Sequence, residues 1–237
     1  MKRTLGFALC MVAAAGCGSN TLTLRGIISA GVDDLEPQAG AEVAVLDVGL
    51  FELGSAVTDA QGVFEIAEVP RSEPVQLVVS GNGLVPLAFP GETGVFDPLV
   101  LQPGEVWALS EADAAEERAR FDGCGADLGD GFVLGTFVYA TGPNQDGNLT
   151  VAFDGLAWVE LADGTRVDAC YLDEDGELAP DADSSGVLGR YAVFGLPSGP
   201  LTLVAGRRAG GGLLLNRSPL YVPPGGGVML VPTLIDL

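Results

Sequence analysis

Short runs of alternating apolar and polar residues, broken by glycine and proline, fill most of this chain. Leu22, Leu24, Gly26 and Ile28 share one face of a predicted strand, with Thr21, Thr23 and Arg25 on the other. Gly31 to Gln38 is acidic and turn-like. Glu42 to Asp47 alternates again around Val43 and Val45, and Val57-Thr58 closes a further strand. Val75, Leu77 and Val79 form the next, and Gly81-Asn82-Gly83 turns the chain into Leu84 to Phe89. Val95 to Leu101 is the last apolar segment before the pattern changes.

One stretch states its local structure most clearly, Thr58 to Pro70. Asp59 accepts backbone N–H bonds of the turn it opens, as an Asx-turn residue does. Gly62 supplies the positive φ that a β-carbon would penalise. Phe64 and Ile66 then point to a core, Glu65 points to water, and Pro70 ends the strand. An echo runs from Asp183-Ser184-Ser185-Gly186 through Gly189 to Pro197, with Asp183-Ser184 taking the place of the Thr-Asp pair.

Residues 103–130 break the β pattern. Ser110 to Phe121 is rich in helix formers; Ser110 is the N-cap, Asp113 lies three residues on, and acids precede arginines as the helix dipole favours. Gly123 and Gly125 stop it. From Gly131 strands return: Phe132 to Ala140, Leu156 to Leu161, Arg166 to Leu172, Tyr191 to Phe194, Leu201 to Ala205, Leu213 to Leu215, Leu220 to Val222 and Val228 to Val231. Gly142 to Asn148 is a turn cluster, and Gly155 stands where Gly40 stood.

The set Gly40-Ala41-x-Val43, Thr58-Asp59-x-x-Gly62-x-Phe64, Val69-Pro70 and Gly81-x-Gly83-Leu84-x-Pro86 resembles the carboxypeptidase regulatory-like domain, a transthyretin-like β-sandwich. The resemblance covers 22–102, and 131–237 looks like a second, diverged copy. It implies a non-catalytic module of a secreted or surface protein. The expected fold is all-β: two transthyretin-like or immunoglobulin-like β-sandwiches joined by one short helix, after a signal peptide.

The N-terminus supplies an address. Lys2-Arg3 precedes a short apolar run, Leu5 to Ala15, too short to span a bilayer. Ala14-Ala15-Gly16-Cys17 resembles the bacterial lipobox, which implies cleavage after residue 16 and acylation of Cys17. Residues 1–16 then form a lipoprotein signal peptide carrying Cys10 away, and 17–21 a lipidated tether. Gly18, in place of a retention aspartate, favours the outer membrane of the cell envelope. The lipid bilayer, reached through the Cys17 acyl chains, is the expected partner, beside an envelope protein or a glycan.

Charge excludes one class of partner. Lys+Arg 11 against Asp+Glu 32 gives −21, and loss of Lys2 and Arg3 takes it to −23. Such a chain is repelled by phosphate backbones, so nucleic acid is not a partner. With His 0, the commonest general base and metal ligand is missing. No Gly-x-Ser-x-Gly elbow or P-loop is present, Gly210-Gly211-Gly212 precedes no helix, and no cofactor is expected.

Three features offer chemistry. Cys124 and Cys170 remain after processing; an exported chain invites a disulfide between them, two buried free thiols being the rival. Asp173-Glu174-Asp175-Gly176-Glu177 with Asp181 and Asp183 gathers oxygen ligands of a kind that suits calcium, but the spacing is not that of an EF-hand and a solvated acidic loop is the favoured reading. Trp107, Trp158 and Tyr139 offer rings for a sugar or for a core, and Trp158 can point either way. The resulting expectation is a non-catalytic, lipid-anchored binding or structural module. A carbohydrate-binding module is the alternative, and a calcium-dependent adhesion module stands behind it.

Overall fold

Alternation of buried and exposed residues makes most of the strands. A computed structural model describes residues 20–31, 35–103, 105–126, 128–139, 150–151, 155–173, 175, 177–186, 189–209 and 211–235. Residues 1–19, with the expected signal peptide and Cys17, lie outside them, as do 141–149 of the turn cluster. The first half forms β1 (Thr21–Ile27), β2 (Glu42–Asp47), β3 (Glu52–Val57), β4 (Val63–Pro70), β5 (Pro74–Gly81), β6 (Leu84–Glu92), β7 (Leu99–Leu101) and the brief β8 (Leu109–Ser110). β1 buries Leu22 and Leu24 and exposes Arg25 between strand partners. It pairs antiparallel with β4 and parallel with β7. The facing sheet runs β3-β2-β5-β6, antiparallel throughout. Val43, Val45, Phe64, Ile66, Leu77 and Phe89 fill the space between the two sheets.

Helix α1 (Glu111–Arg120) follows β8. The Ser110 hydroxyl accepts the Asp113 amide at 3.1 Å, as expected of the N-cap, and Arg118 and Arg120 close the last turn. The helix buries none of its own residues. Its C-cap Phe121 is buried against Phe194, with ring centroids 5.5 Å apart, and holds the segment after the helix onto the second half.

The second half forms β9 (Gly131–Tyr139), β10 (Thr150–Val151), β11 (Gly155–Glu160), β12 (Arg166–Asp168), β13 (Cys170–Leu172), β14 (Leu178–Ala179), β15 (Arg190–Leu196), β16 (Gly199–Ala209), β17 (Gly212–Val222) and β18 (Gly227–Ile235). Here β15-β9-β18 repeats β4-β1-β7, with one antiparallel and one parallel neighbour about the middle strand. Likewise β12-β11-β16-β17 repeats β3-β2-β5-β6. The protein is thus mostly β, with two β-sandwiches and one short helix among the described residues.

Hydrogen bonds fix the correspondence between the copies, and it differs from the expected one. The Thr58 hydroxyl accepts the Ala41 amide at 2.9 Å, and the Thr58 amide donates to the Ala41 carbonyl at 2.9 Å. The Ser185 hydroxyl accepts the Gly155 amide at 3.1 Å, and the Ser185 amide donates to the Gly155 carbonyl at 2.8 Å. Ser185-Gly186 therefore stands for Thr58-Asp59, where the sequence pattern pointed to Asp183-Ser184, and Gly155 stands for Ala41 rather than Gly40. The hydroxyl, not the carboxylate, is the shared chemical feature. Gly62 (φ 72) recurs as Gly189 (φ 60), and their carbonyls accept the Ile28 and Phe137 amides, each at 2.9 Å. Phe64 lies opposite Gly26, and Tyr191 opposite Gly135.

Other boundaries also move. Arg166 to Leu172 is two strands: β12 pairs with β11, whereas β13 pairs with β15 in the other sheet. Val167, Ala169 and Tyr171 stay buried in one core across that switch, so the alternation reads as continuous. Leu213 to Leu215 and Leu220 to Val222 belong to one strand, β17. Of Val95 to Leu101 only Leu99–Leu101 is strand, because Val95 and Phe96 project into solvent.

The two copies share a sheet. β18 pairs parallel with β6, Gly227 opposite Leu87 and Val228 opposite Ala88, giving the order β14-β13-β15-β9-β18-β6-β5-β2-β3. Gly226 makes the junction possible: a Cβ there would overlap the Pro86 carbonyl oxygen. In the first copy, Asp97 and Pro98 precede Leu99, at the places Gly226 and Gly227 take before Val228. Alternate residues of the joined sheet serve different cores. Phe132, Leu134, Ala192 and Phe194 face the first; Val133, Phe137, Tyr191 and Val193 face the second. Across the joint, Nε2 of buried Gln76 donates to the Tyr221 carbonyl at 2.8 Å.

Candidate functional site

β7 is only three residues long, while its counterpart β18 has nine. A three-residue strand cannot cover the full width of β6 and β5 opposite it, and a cleft of about 320 Å³ opens there. Leu24, Leu77, Phe89, Leu99 and Leu101 line its floor and walls, and Met229 enters from β18 of the second copy. Glu92 and Glu105 stand on its exposed rim, where a Glu105 carboxylate oxygen accepts the Gln102 amide at 2.6 Å. Buried Thr93 fastens the lower edge, its hydroxyl accepting the Glu73 amide at 2.9 Å. The volume is at the low end for a small-molecule site, and the lining is apolar with acids at the mouth. Such a cleft can hold an apolar group; its lining offers no histidine, serine or cysteine nucleophile.

Displaced titrations lie elsewhere, on the second copy. Glu160 is held below the usual carboxylate range, first by its hydrogen bond with Arg217 and then by the Trp158 indole N–H. Asp183 is lowered by Arg208, and Asp163 by the backbone and hydroxyl of Thr165. Burial pushes the Tyr171 phenol up; its oxygen accepts the Ala157 amide at 3.0 Å. Each of these shifts has a structural partner, and none of the four residues lines the cleft.

The tryptophans are not a platform. Trp158 lies on the outer face of β11, since Ala157 and Val159 face the core. It is nonetheless 7% exposed, because the Arg166 guanidinium sits 4.1 Å from its ring centroid. Trp107 is 5% exposed and packs edge-on against Phe89 at 5.2 Å. The side chain of Tyr139 lies outside the described residues.

The acidic stretch forms a hairpin turn between β13 and β14. Asp173 Oδ1 accepts the amides of Asp175 (2.9 Å) and Glu177 (3.0 Å). Asp59 Oδ1 does the same with Gln61 and Val63, and Asp47 Oδ1 with Gly49 and Phe51. Asp183 pairs with Arg208 at 2.6 Å, while Asp181 is exposed. Glu174 and Gly176 lie outside the described residues. Among the described residues, no group of three or more His, Cys, Asp or Glu is placed to hold a metal.

Cys124 and Cys170 are joined, with Cα atoms 6.0 Å apart. The bond ties the segment following α1 to β13, beside Phe121 and Leu172 at the margin of the first core. Sequence reasoning anticipated that pair, the Asp59 turn and Gly62. It missed the cleft, whose cause is a short strand, and the exposed hairpin tips Val48, Phe51, Val95 and Phe96. Val48 after Asp47 and Val95 after Gly94, apolar residues directly behind turn formers, were the available signal.

No family model and no curated protein matches the chain. Among solved structures, it is similar to the TIE protein of Bacillus anthracis, at 15% identity and a TM-score of 0.27, over 92% of this chain. It spans about a third of that protein's length, 34%. Similarity extends to the shaft pilin SpaA of Lactobacillus rhamnosus GG, at 9% identity over 89% of this chain and 96% of that one, TM-score 0.28. The minor pilin GBS52 of Streptococcus agalactiae gives 12% identity over 92% and 95%, TM-score 0.28.

Proposed function

We propose that the chain is a non-catalytic, lipid-anchored module of the bacterial cell envelope that presents two fused carboxypeptidase regulatory-like sandwiches for binding or structural support. One observation carries this reading. The strand that follows the lipobox-like Cys17, β1, belongs to the separate sheet β4-β1-β7 of the first sandwich and not to the sheet that joins the two copies. Its first residue, Thr21, pairs with Pro70, and the Asn20 carbonyl accepts the Arg71 amide at 3.1 Å. An anchor on Cys17 would therefore hold the chain through the first sandwich, without using a strand of the joint. The cleft between β6 and β7 is the binding site of this reading, for an apolar group of a partner.

Acylation at Cys17 is tested by intact mass and by fractionation of cells carrying the full chain. The mature wild type is expected in the membrane fraction with the mass of a diacylglyceryl cysteine. Cys17→Ser is expected in the soluble fraction, and its retention in the membrane would overturn the anchor. The glycan alternative gains nothing from Trp107 and Trp158, both buried.

A further inference from the structure

Four exposed apolar residues gather at the end of the first sandwich where β1 starts. The β2–β3 hairpin carries Val48 (74% exposed) and Phe51 (73%), and the segment leaving β6 carries Val95 (59%) and Phe96 (79%). Register shows that they share an end. Asp47 at the close of β2 pairs with Val75, and Val75 pairs with Gly91 near the close of β6. Arg71 ties the same end together: its side chain donates to the carbonyls of Thr21 (2.9 Å) and Val95 (3.0 Å), and it pairs with Asp97 at 3.4 Å. Both strongly exposed phenylalanines of the described residues lie here.

These tips are held, not loose. Asp47 Oδ1 accepts the Phe51 amide at 2.9 Å, and Asp97 Oδ1 accepts the Thr23 amide at 2.9 Å. A preset turn at Phe51 and a segment tied to β1 at Phe96 thus present phenylalanines to solvent at the end where β1 starts. From Cys17 to Thr21 the covalent chain reaches at most about 14 Å, at ~3.5 Å per residue, so acyl chains on Cys17 would hold the start of β1 at the bilayer surface.

We infer that this end of the first sandwich lies against the bilayer, with Phe51 and Phe96 seated between headgroups and acyl chains. Aromatic and aliphatic side chains gain from burial at that boundary. Exposed Glu52, Glu73 and Glu92 stand at the same end, so the fit is to zwitterionic headgroups rather than to an anionic surface. The inference rests on the lipid anchor for its reach, but its contact is made by the fold.

The test places a tryptophan at Phe51, Phe96 or Val57 of the mature full-length chain, in phosphatidylethanolamine–phosphatidylcholine vesicles carrying brominated acyl chains. Val57 is 63% exposed and lies at the other end of the same sandwich. Emission from Phe51→Trp and Phe96→Trp should shift blue and lose intensity relative to unbrominated vesicles. Val57→Trp should match the wild-type background of Trp107 and Trp158. Equal quenching at all three positions, or none at 51 and 96, overturns the inference. The state of Cys17 is read separately by mass. If Cys17 is unmodified and Phe51→Trp and Phe96→Trp are still quenched on added vesicles, the anchor reading fails and this one stands.

Discussion

Phe137 occupies the space that a side chain on Gly155 would need: a Cβ built there would overlap the phenylalanine ring. In the first copy the same two places hold Ile28 and Ala41, both fully buried. The smaller core residue leaves room for a methyl group; the larger one removes it. The two copies fill one volume in two ways, as close-packed interiors require. Gly155→Ala is therefore expected to cost about 1–3 kcal/mol through overpacking. Adding Phe137→Ile should make the double variant more stable than the sum of the two single changes predicts, measured by urea denaturation. Strict additivity would show that the two positions do not share this space.

The buried hydroxyls are the next target. Thr58 accepts the Ala41 amide and donates to the Gln38 carbonyl at 2.7 Å. Thr58→Val keeps the shape but leaves a buried amide unpaired, which should cost about 1–3 kcal/mol. Ser185→Ala should cost a similar amount in the second copy. Asp183→Ala, at the position the sequence pattern favoured, should leave the denaturation midpoint near that of the wild type, since its pair with Arg208 is exposed.

At the joint, Gly226→Ala places a methyl group against the Pro86 carbonyl. The expected loss is about 1–3 kcal/mol, with faster amide exchange at Leu87 and Ala88 than in the wild type. Unchanged exchange there would mean that β18 is not held on β6 in solution.

Reduction of Cys124–Cys170 should lower stability by about 4 kcal/mol in the chain-entropy model, for a sequence separation of 46. The comparison is a denaturation curve with and without reductant, and coincident curves would count against the bond.

Glu160 gives a pH signature. Its folded-state pKa lies below its unfolded value, with the Arg217 hydrogen bond the first cause. The pairing therefore favours the folded state above the unfolded value and fades as pH falls through the lowered folded one. In an NMR titration the Glu160 carboxyl should change below the ordinary glutamate range, and Arg217→Gln should move it upward.

Local chemistry was the legible part of this sequence. Alternation placed β1, β2, β4 and β5, the Asx-turn logic of Asp59 and Gly62 was present in the residues, and Ser110 capped its helix as expected. The register of the second copy was not legible, because aspartate draws the eye and the shared feature is a hydroxyl that serine supplies as well as threonine. β12 and β13 read as one strand because burial continues when the hydrogen-bonding partner changes. The joined sheet left a single trace in sequence, Gly225-Gly226-Gly227, and the close approach that needs it is a tertiary event. The cleft left none, since nothing in Leu99–Leu101 says how far a strand will extend.

Asp97-Pro98 before β7 makes this joint one-sided. Gly226 closes onto Pro86 by having no side chain, and Gly227 opens the strand that pairs with β6. Asp97 carries a Cβ where that contact forbids one, and Pro98 has no amide to donate. β7 of one molecule is thus barred from the edge that β18 uses. The joint thus depends on a glycine pair that only the second copy has at the entry to its last strand, although β17 offers an edge equivalent to that of β6.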